Sequence, residues 1–461
     1  MRDLKKEIAA FINQREVLIL GFGKEGRSTY QTLRRCMPDV KICIADQNES
    51  IASEEDLQKD PNLSFDLGAN YMDALSNYDL VFKSPGISFK NYTVPEYQQI
   101  TSQTDLFIEL FHSQIIGVTG TKGKSTTVSL IYHLLNSNGR KVMLVGNIGL
   151  PALEVLQDID EETLIVYELS SHQLEYVNHS PHIAVFLNLF EEHLDHYNSY
   201  LDYQQAKANI TKYQSSTDYL IYNQDDENVK QRIKESGSKA QKLCFSAIGN
   251  SVCSTIENDR IILFNKEQFH LDLNRVPLLG KHNLLNILAA LNVCTALDAD
   301  INKSIESIYS FQSLPHRLES VGVFQGIHFV NDSIATIPEA CIKAADTFEN
   351  LDTLILGGFN RGIDYSLLID YLVERKLPNL ILLGEVGQII RKQLETKNYT
   401  NNLFDAANMG EVVQIAFKQS REGRVCLLSP AASSYDSFHN FEDRGDQFKE
   451  KVRGQLKETE N

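Results

Sequence analysis

The run GVTGTKGKSTT, residues 117–127, holds the side chains best suited to phosphate chemistry. Gly120 and Gly123 let the backbone turn its N–H groups toward an anion. Lys124 has the reach and charge to meet β- and γ-phosphates, and the Ser125 hydroxyl can ligate Mg²⁺. Thr121, Lys122 and Thr126 fill in the loop. Two further groups suit the same chemistry: Glu168, closing the run LIVYE, and His193, just after IAVFLNL. A hydroxyl, a carboxylate and an imidazole beside triphosphate make a Mg²⁺ site in which the oxygens are the natural ligands and the histidine the less usual one.

These residues need elements that bring them together. IIGV reads as a strand, and Val128, Ile131, Leu134 and Leu135 recur at helical spacing, so the loop joins a strand to a helix N-terminus, where anions are favoured. Val118 stands where the common G-x-x-x-x-G-K-[ST] pattern has Gly, so the loop is a variant of that pattern. In an open parallel sheet, ligands gather at the carboxyl ends of the strands. Loop 120–125, Glu168 and His193 are therefore expected on one edge.

A second glycine loop lies upstream. LILGFGKEG, residues 18–26, places Gly21, Gly23 and Gly26 as G-x-G-x-x-G after an apolar run, and Asp46 follows behind VKICIAD. This is the spacing of a dinucleotide-binding turn, and an NAD-dependent dehydrogenase is one reading of it. That reading leaves loop 120–125 without a purpose. A GTPase switch is a third class, but no N-K-x-D guanine-reading motif is present.

Strand-like runs alternate with helical patterns throughout, the mark of parallel sheets with crossover helices. EVLILGFG, VKICIAD and YDLVFKSPG form a first group. SQIIGVTG, TLIVYELSS, HIAVFLNLFEEH and TDYLIYN form a second. GIHFVNDS, LDTLILGG, LPNLILLGE and GRVCLLSP form a third. The expected architecture is α/β in three domains: Rossmann-like over 1–97, a central P-loop-type ATPase domain with a mainly parallel sheet over 98–312, and Rossmann-like again over 313–461. The 461 residues suit about three domains. A net charge of −17 argues against nonspecific nucleic-acid binding. The seven cysteines are odd in number and never spaced C-x-x-C, so reduced thiols in a cytoplasmic protein are expected. No apolar run reaches the ~18 residues of a membrane span.

Further motifs carry a family resemblance. GNIG (146–149), ELSSHQLE (168–175), NLFEEHLDHY (188–197), GKHNLLNILAA (280–290) and LPHRLE (314–319), together with the loop at 117–127, resemble the Mur ligases, in family order and over nearly the whole chain. These are ATP-dependent amide-forming enzymes of peptidoglycan precursor synthesis. NDSIAT (331–336), GGFNRG (357–362) and LSPAASSYDSFHNFEDRGDQF (428–448) resemble the branch that adds D-glutamate to UDP-N-acetylmuramoyl-L-alanine; the Asp-Asn-Pro-Arg signature of the diaminopimelate-adding branch is absent. The folylpolyglutamate synthases share the ATP loop but lack the first domain and the C-terminal stretch.

The resemblance implies a γ-phosphoryl transfer from ATP to the alanyl carboxylate, followed by attack of the D-glutamate amine on the acyl phosphate. It implies two Mg²⁺ ions held by Ser125, Glu168, His193 and a CO₂-derived carbamate on Lys207. By pattern alone Lys207, in YQQAKANI, is an ordinary helical lysine. The resemblance further gives Asn286 to adenine, Asp332 to ribose and Arg317 to ATP. It gives Asn147, Ser170, Gln173 and His316 to the nucleotide substrate, along with Phe22, Lys24, Ser84, Gly86 and Asp46 around the first loop. Thr336, Arg361, Ser434 and Phe441 match the positions that bind D-glutamate. Lys122 stands where the family usually has Asn, Arg361 and Ile334 where it often has Lys, and no Arg follows Asp46. A monomer, with no nucleic-acid or stable membrane partner, is expected.

Overall fold

The computed structural model describes residues 3–90, 92, 94, 99–146, 152–248, 253–257, 260–263, 267–278, 280, 282–312, 315–360, 362–434 and 438–459. The chain packs as two compact units, Met1–Arg275 with His282–Tyr309, and Val276–Lys281 with Ser310–Asn461.

In the first unit, five parallel strands run in the order Leu63–Leu67, Ile42–Asp46, Val17–Leu20, Leu80–Lys83, Gln99–Thr101. Val17–Leu20 is buried at every residue, as a strand covered on both faces must be. This is the Rossmann order, and strand direction in the sequence reverses beside Val17–Leu20. The loop Gly21–Gly26 and Ser84 leave the sheet at that point.

The same unit holds a six-stranded parallel sheet ordered Gln241–Phe245, Tyr219–Asn223, Ile183–Phe186, Ile115–Thr119, Leu164–Glu168, Val142–Gly146. The strand that feeds the phosphate loop is central, flanked by the strands that end at Glu168 and Phe186. A small antiparallel sheet, Thr255–Glu257, Arg260–Ile262 and Gln268–His270, follows.

The second unit is built on one sheet ordered Glu319–Phe324, Ile327–Asn331, Val425–Leu428, Leu351–Gly357, Asn379–Leu383, Asn402–Ala406. Its first two strands form an antiparallel hairpin and the rest are parallel. The three large sheets, two in the first unit and one in the second, match the mainly parallel α/β build that the strand–helix alternation predicts. Among the described residues no helix is long and apolar enough to cross a membrane.

One expectation is corrected. Cys244 and Cys253 are joined in a disulfide rather than left as thiols. The reason is topological: Phe245 and Ser254 form a parallel bridge, which sets the two backbones side by side with Cα atoms 4.8 Å apart. The nine-residue spacing did not advertise that return. The other five cysteines are free, four of them buried.

Candidate active site

The central strand ends at Thr119, and the helix Lys124–Ser137 starts five residues later. Gly123 caps it at φ +84, a conformation L side chains rarely adopt. A Cβ there would also lie 2.7 Å from Asn286 Oδ1, so Asn286 packs directly on the loop. Strand 183–186 continues past the loop and clamps it. Thr121 N donates to Asn188 O, Lys122 N donates to Asn188 Oδ1 at 2.8 Å, and Asn188 Nδ2 returns a bond to Lys122 O. The Thr121 hydroxyl meets the Tyr203 hydroxyl at 2.8 Å, and Lys122 pairs with Glu192.

Two lysines converge on one carbonyl. Lys124 Nζ and Lys207 Nζ each donate to Gly120 O at 2.9 Å. Lys207 is 2% exposed, lies against the Tyr203 ring, and is no solvated helix lysine. Burial first, then the nearby Lys124 charge, pushes its pKa well below the ordinary lysine range. Its amine is thereby biased toward the neutral, nucleophilic form.

Val118 pairs with Glu168 across the sheet, which brings the strand-end carboxylate beside the loop. Glu168 is 4% exposed, and its Oε2 has no hydrogen-bond partner among the described residues. A buried acceptor without a donor calls for a cation. With the buried Ser125 hydroxyl, this donor set fits a hard, oxygen-seeking ion such as Mg²⁺. His193 sits at φ +61, uncommon for a residue other than glycine, and burial lowers its pKa.

At the first loop, Ser84 Oγ donates to Gly21 O at 2.6 Å, and Phe22 N donates to Asp46 Oδ2 at 2.6 Å. The second Asp46 oxygen accepts from Asn48 N, so both carboxylate oxygens hold backbone. A Cβ on Gly26 would fall 2.2 Å from Gly21 O, which is why the third glycine is required. Ser170 and Gln173 form a capping box on the short helix Ser171–Leu174, and Gln173 Nε2 also donates to Glu25 Oε1 at 3.0 Å.

The second unit, taken by itself, holds further residues that the sequence singles out. Asp332 is 5% exposed, accepts from Ser429 Oγ and Leu318 N, and is pushed by burial up to about 7. His316, at φ +64, accepts from Asn331 Nδ2 at 3.1 Å and lies edge-on to Phe441. Ser434 is buried, Thr336 half-buried and Arg317 exposed. Asn147 and Arg361 lie outside the described residues.

Sequence reasoning gave no role to several buried polar residues within each unit. Glu175 Oε2 accepts from Lys83 Nζ at 2.9 Å and faces His196 Nε2 at 3.1 Å. The His172 ring packs on both His193 and His196, and burial with these neighbours lowers its pKa to about 4. A lysine closing an otherwise apolar strand, VFK, was the available signal. Arg444 is fully buried and donates to Ser333 Oγ and to the Ser333 and Ala432 carbonyls, tying 331–336 to 428–434.

A strand–glycine loop–helix cradle at the carboxyl edge of a parallel sheet, with lysine, hydroxyl and carboxylate converging, defines a nucleotide-dependent α/β enzyme of the P-loop kind. Comparison with known proteins narrows the class. The pattern described as "Mur ligase middle domain" matches residues 118–294, and "Mur ligase MurD-like, N-terminal domain" matches 15–104. A UDP-N-acetylmuramoylalanine–D-glutamate ligase of Acetivibrio thermocellus is 31% identical over 98% of both chains. One from Oceanobacillus iheyensis is 35% identical over 94% of this chain and 96% of its own. Among solved structures, a UDP-N-acetylmuramoyl-L-alanyl-D-glutamate–2,6-diaminopimelate ligase superposes with TM-score 0.60 at 18% identity, covering 95% and 92% of the two chains. The UDP-N-acetylmuramate-alanine ligase of Thermotoga maritima does so with TM-score 0.56 at 19% identity, covering 96% and 100%. The chain belongs to the Mur ligase family.

Proposed function

We propose that this chain is an ATP-dependent ligase that joins D-glutamate to UDP-N-acetylmuramoyl-L-alanine in peptidoglycan precursor synthesis. The observation that carries the reading is the full-length similarity to relatives bearing that activity in their names. The convergence of Lys124, Lys207 and Glu168 at one sheet edge supports it. The segments divide the work: 1–97 for the UDP-sugar, 98–312 for ATP, 313–461 for the incoming amino acid.

In this reading the N–H groups of loop 120–125 and Lys124 hold the ATP phosphates, and Asn286 meets the adenine. Ser125, Glu168 and His193 hold metal. Mg²⁺ bound there would supply neutralisation of phosphate charge, which is most of what phosphoryl transfer needs. The buried Lys207 amine adds to CO₂: its lone pair forms the N–C bond, one N–H proton leaves to water, and an anionic carbamate replaces a cation. That carbamate would be a further oxygen ligand for a second ion. The alanyl carboxylate takes the γ-phosphoryl group and ADP leaves; the neutral D-glutamate amine then attacks the acyl carbon, phosphate departs, and the amine gives up a proton to solvent. Thr336, Arg361, Ser434 and Phe441 orient the amino acid, whose carboxylates an Arg can bind bidentately. Gly21, Phe22, Gly23 and Lys24 cradle the diphosphate of the sugar nucleotide.

The test is phosphate release in ATP, Mg²⁺, UDP-N-acetylmuramoyl-L-alanine and D-glutamate. Release is expected only with all four present. Turnover that ignores omission of D-glutamate, or takes L-lysine equally well, overturns the assignment.

A further inference from the structure

The opposite edge of the central sheet carries a cluster that the ligase chemistry does not use. His112 opens the turn before strand Ile115–Thr119, His182 precedes Ile183–Phe186, and Asp218 precedes Tyr219–Asn223. The three therefore sit at the starts of three adjacent parallel strands. A five-residue strand spans about 16 Å, which is the order of their separation from the phosphate loop. Backbone bonds fix them in line: His182 N donates to His112 O, and Tyr219 N to His182 O.

The side chains converge on one oxygen. His112 Nε2 lies 3.0 Å from Asp218 Oδ1, and His182 Nδ1 lies 2.8 Å from the same atom. All three candidate ligand atoms lie within 4.8 Å of one another. The second Asp218 oxygen is committed to Ser215 N at 2.7 Å and Ser215 Oγ at 2.9 Å. His112 Nδ1 donates to the Ser180 carbonyl at 2.7 Å. A neutral imidazole has a single N–H. With that proton given to Ser180, the Nε2 lone pair faces a carboxylate lone pair at hydrogen-bond distance. Such a contact holds only with a positive charge between the two atoms.

We propose that His112, His182 and Asp218 form a binding site for a Zn²⁺-class transition-metal ion on this edge of the sheet. Two imidazoles and one carboxylate are the ligand set that such ions prefer, with a fourth position left to solvent. The supporting contacts are those of metal ligands: a histidine whose other N–H is held by a backbone carbonyl, and a carboxylate whose free oxygen is hydrogen-bonded. Asp218 is buried, at 1% exposed, while the His112 and His182 side chains are 42% and 26% exposed, so the ion has an entry path. The ion ties three strand starts together, a stabilising role remote from the reaction.

Co²⁺ in excess Mg²⁺ is the probe. The full chain is expected to take up one equivalent with visible d–d absorption. The double variant His112→Gln with His182→Gln is expected to bind at least about 100-fold more weakly, since even outer partners are worth 10–100-fold. His193→Gln is expected to keep the signal, and Zn²⁺ is expected to raise the melting midpoint of the wild type but not of the double variant. Melting without metal checks that the double variant folds. If it does not, His112→Gln alone serves, because that side chain is the more exposed of the two histidines. Absence of stoichiometric uptake means that a proton bridges the cluster, and overturns the proposal. Uptake that survives the double substitution, or that is lost with His193→Gln, overturns it too. Phosphate release in Mg²⁺ is read separately, so the ligase assignment stands or falls on its own.

Discussion

Replacing Lys207 by Met separates what this side chain costs from what it does. The native amine makes one described hydrogen bond, to Gly120 O, and is 2% exposed. Losing that bond costs about 1 kcal/mol. Against it stands desolvation of a lysine head, whose replacement by an apolar side chain of similar volume is neutral or stabilising by about 1–4 kcal/mol in comparable buried ion sites. The burial term exceeds the bond, so the metal-free variant is expected to melt no lower than the wild type, and up to several degrees higher. The pH dependence has a definite sign. The folded pKa lies below the ordinary value of 10.5, so between the two the unfolded chain binds more protons than the folded one. Wild-type stability therefore rises with pH across that window, and the variant lacks this contribution. Activity moves the other way. With the proposed carbamate no longer able to form, turnover is expected to fall at least about 100-fold, the scale of losing one preorganised electrostatic group. A short-chain carboxylate added to the assay is expected to restore part of it. The assays are thermal melts across pH and phosphate release with and without added acid. A variant that melts lower but turns over normally refutes the reasoning on both counts.

Gly26→Ala forces a Cβ to within 2.2 Å of Gly21 O; at about 1–3 kcal/mol for overpacking, KM for the UDP-sugar is expected to rise about tenfold or more while KM for ATP stays put, and equal changes in both would contradict the loop assignment. Asp332, raised to about 7, keeps a proton that the unfolded chain releases near 3.8. Stability should therefore fall as pH rises from 4 to 7, by on the order of 4 kcal/mol at most, and Asp332→Asn should abolish that fall in melts run at both ends. Reducing the Cys244–Cys253 disulfide, which closes a nine-residue separation, is expected to cost about 2–3 kcal/mol by chain entropy; unchanged melting in reductant would show that it contributes nothing.

The strands that position the site were readable because buried parallel strands are continuous apolar runs. LILGFG, IIGVTG and IAVFLNL each end in the turn residues that the structure uses. Strand Leu63–Leu67 was not read, because it is only half-buried and carries Ser64 and Asp66. Gln99–Thr101 is three residues long, too short for any period. The loop was legible from its motif, and its sharing an edge with Glu168 and His193 from topology, since carboxyl strand ends share an edge. Lys207 was not: its helix interleaves Gln204, Gln205 and Asn209 with apolar residues, and only the tertiary approach of Gly120 O buries it. Arg444 was hidden for the same reason, and Lys83 showed only as a lysine closing an apolar strand. Charged letters read as surface until their neutral acceptors or partner carboxylate, brought from distant segments, are known.

The carbonyl of Gly120 serves two masters. Lys124 and Lys207 share it, and each ammonium raises the electrostatic cost of the other. A phosphate that draws Lys124 away relieves Lys207, and turning Lys207 into an anion changes its effect on Lys124 from repulsion to attraction. In the proposed enzyme, nucleotide and CO₂ are therefore linked ligands. Whatever factor dissolved CO₂ contributes to ATP affinity, ATP must return to CO₂ affinity. The enzyme's grip on its energy source would then carry a reading of the cell's carbonate supply.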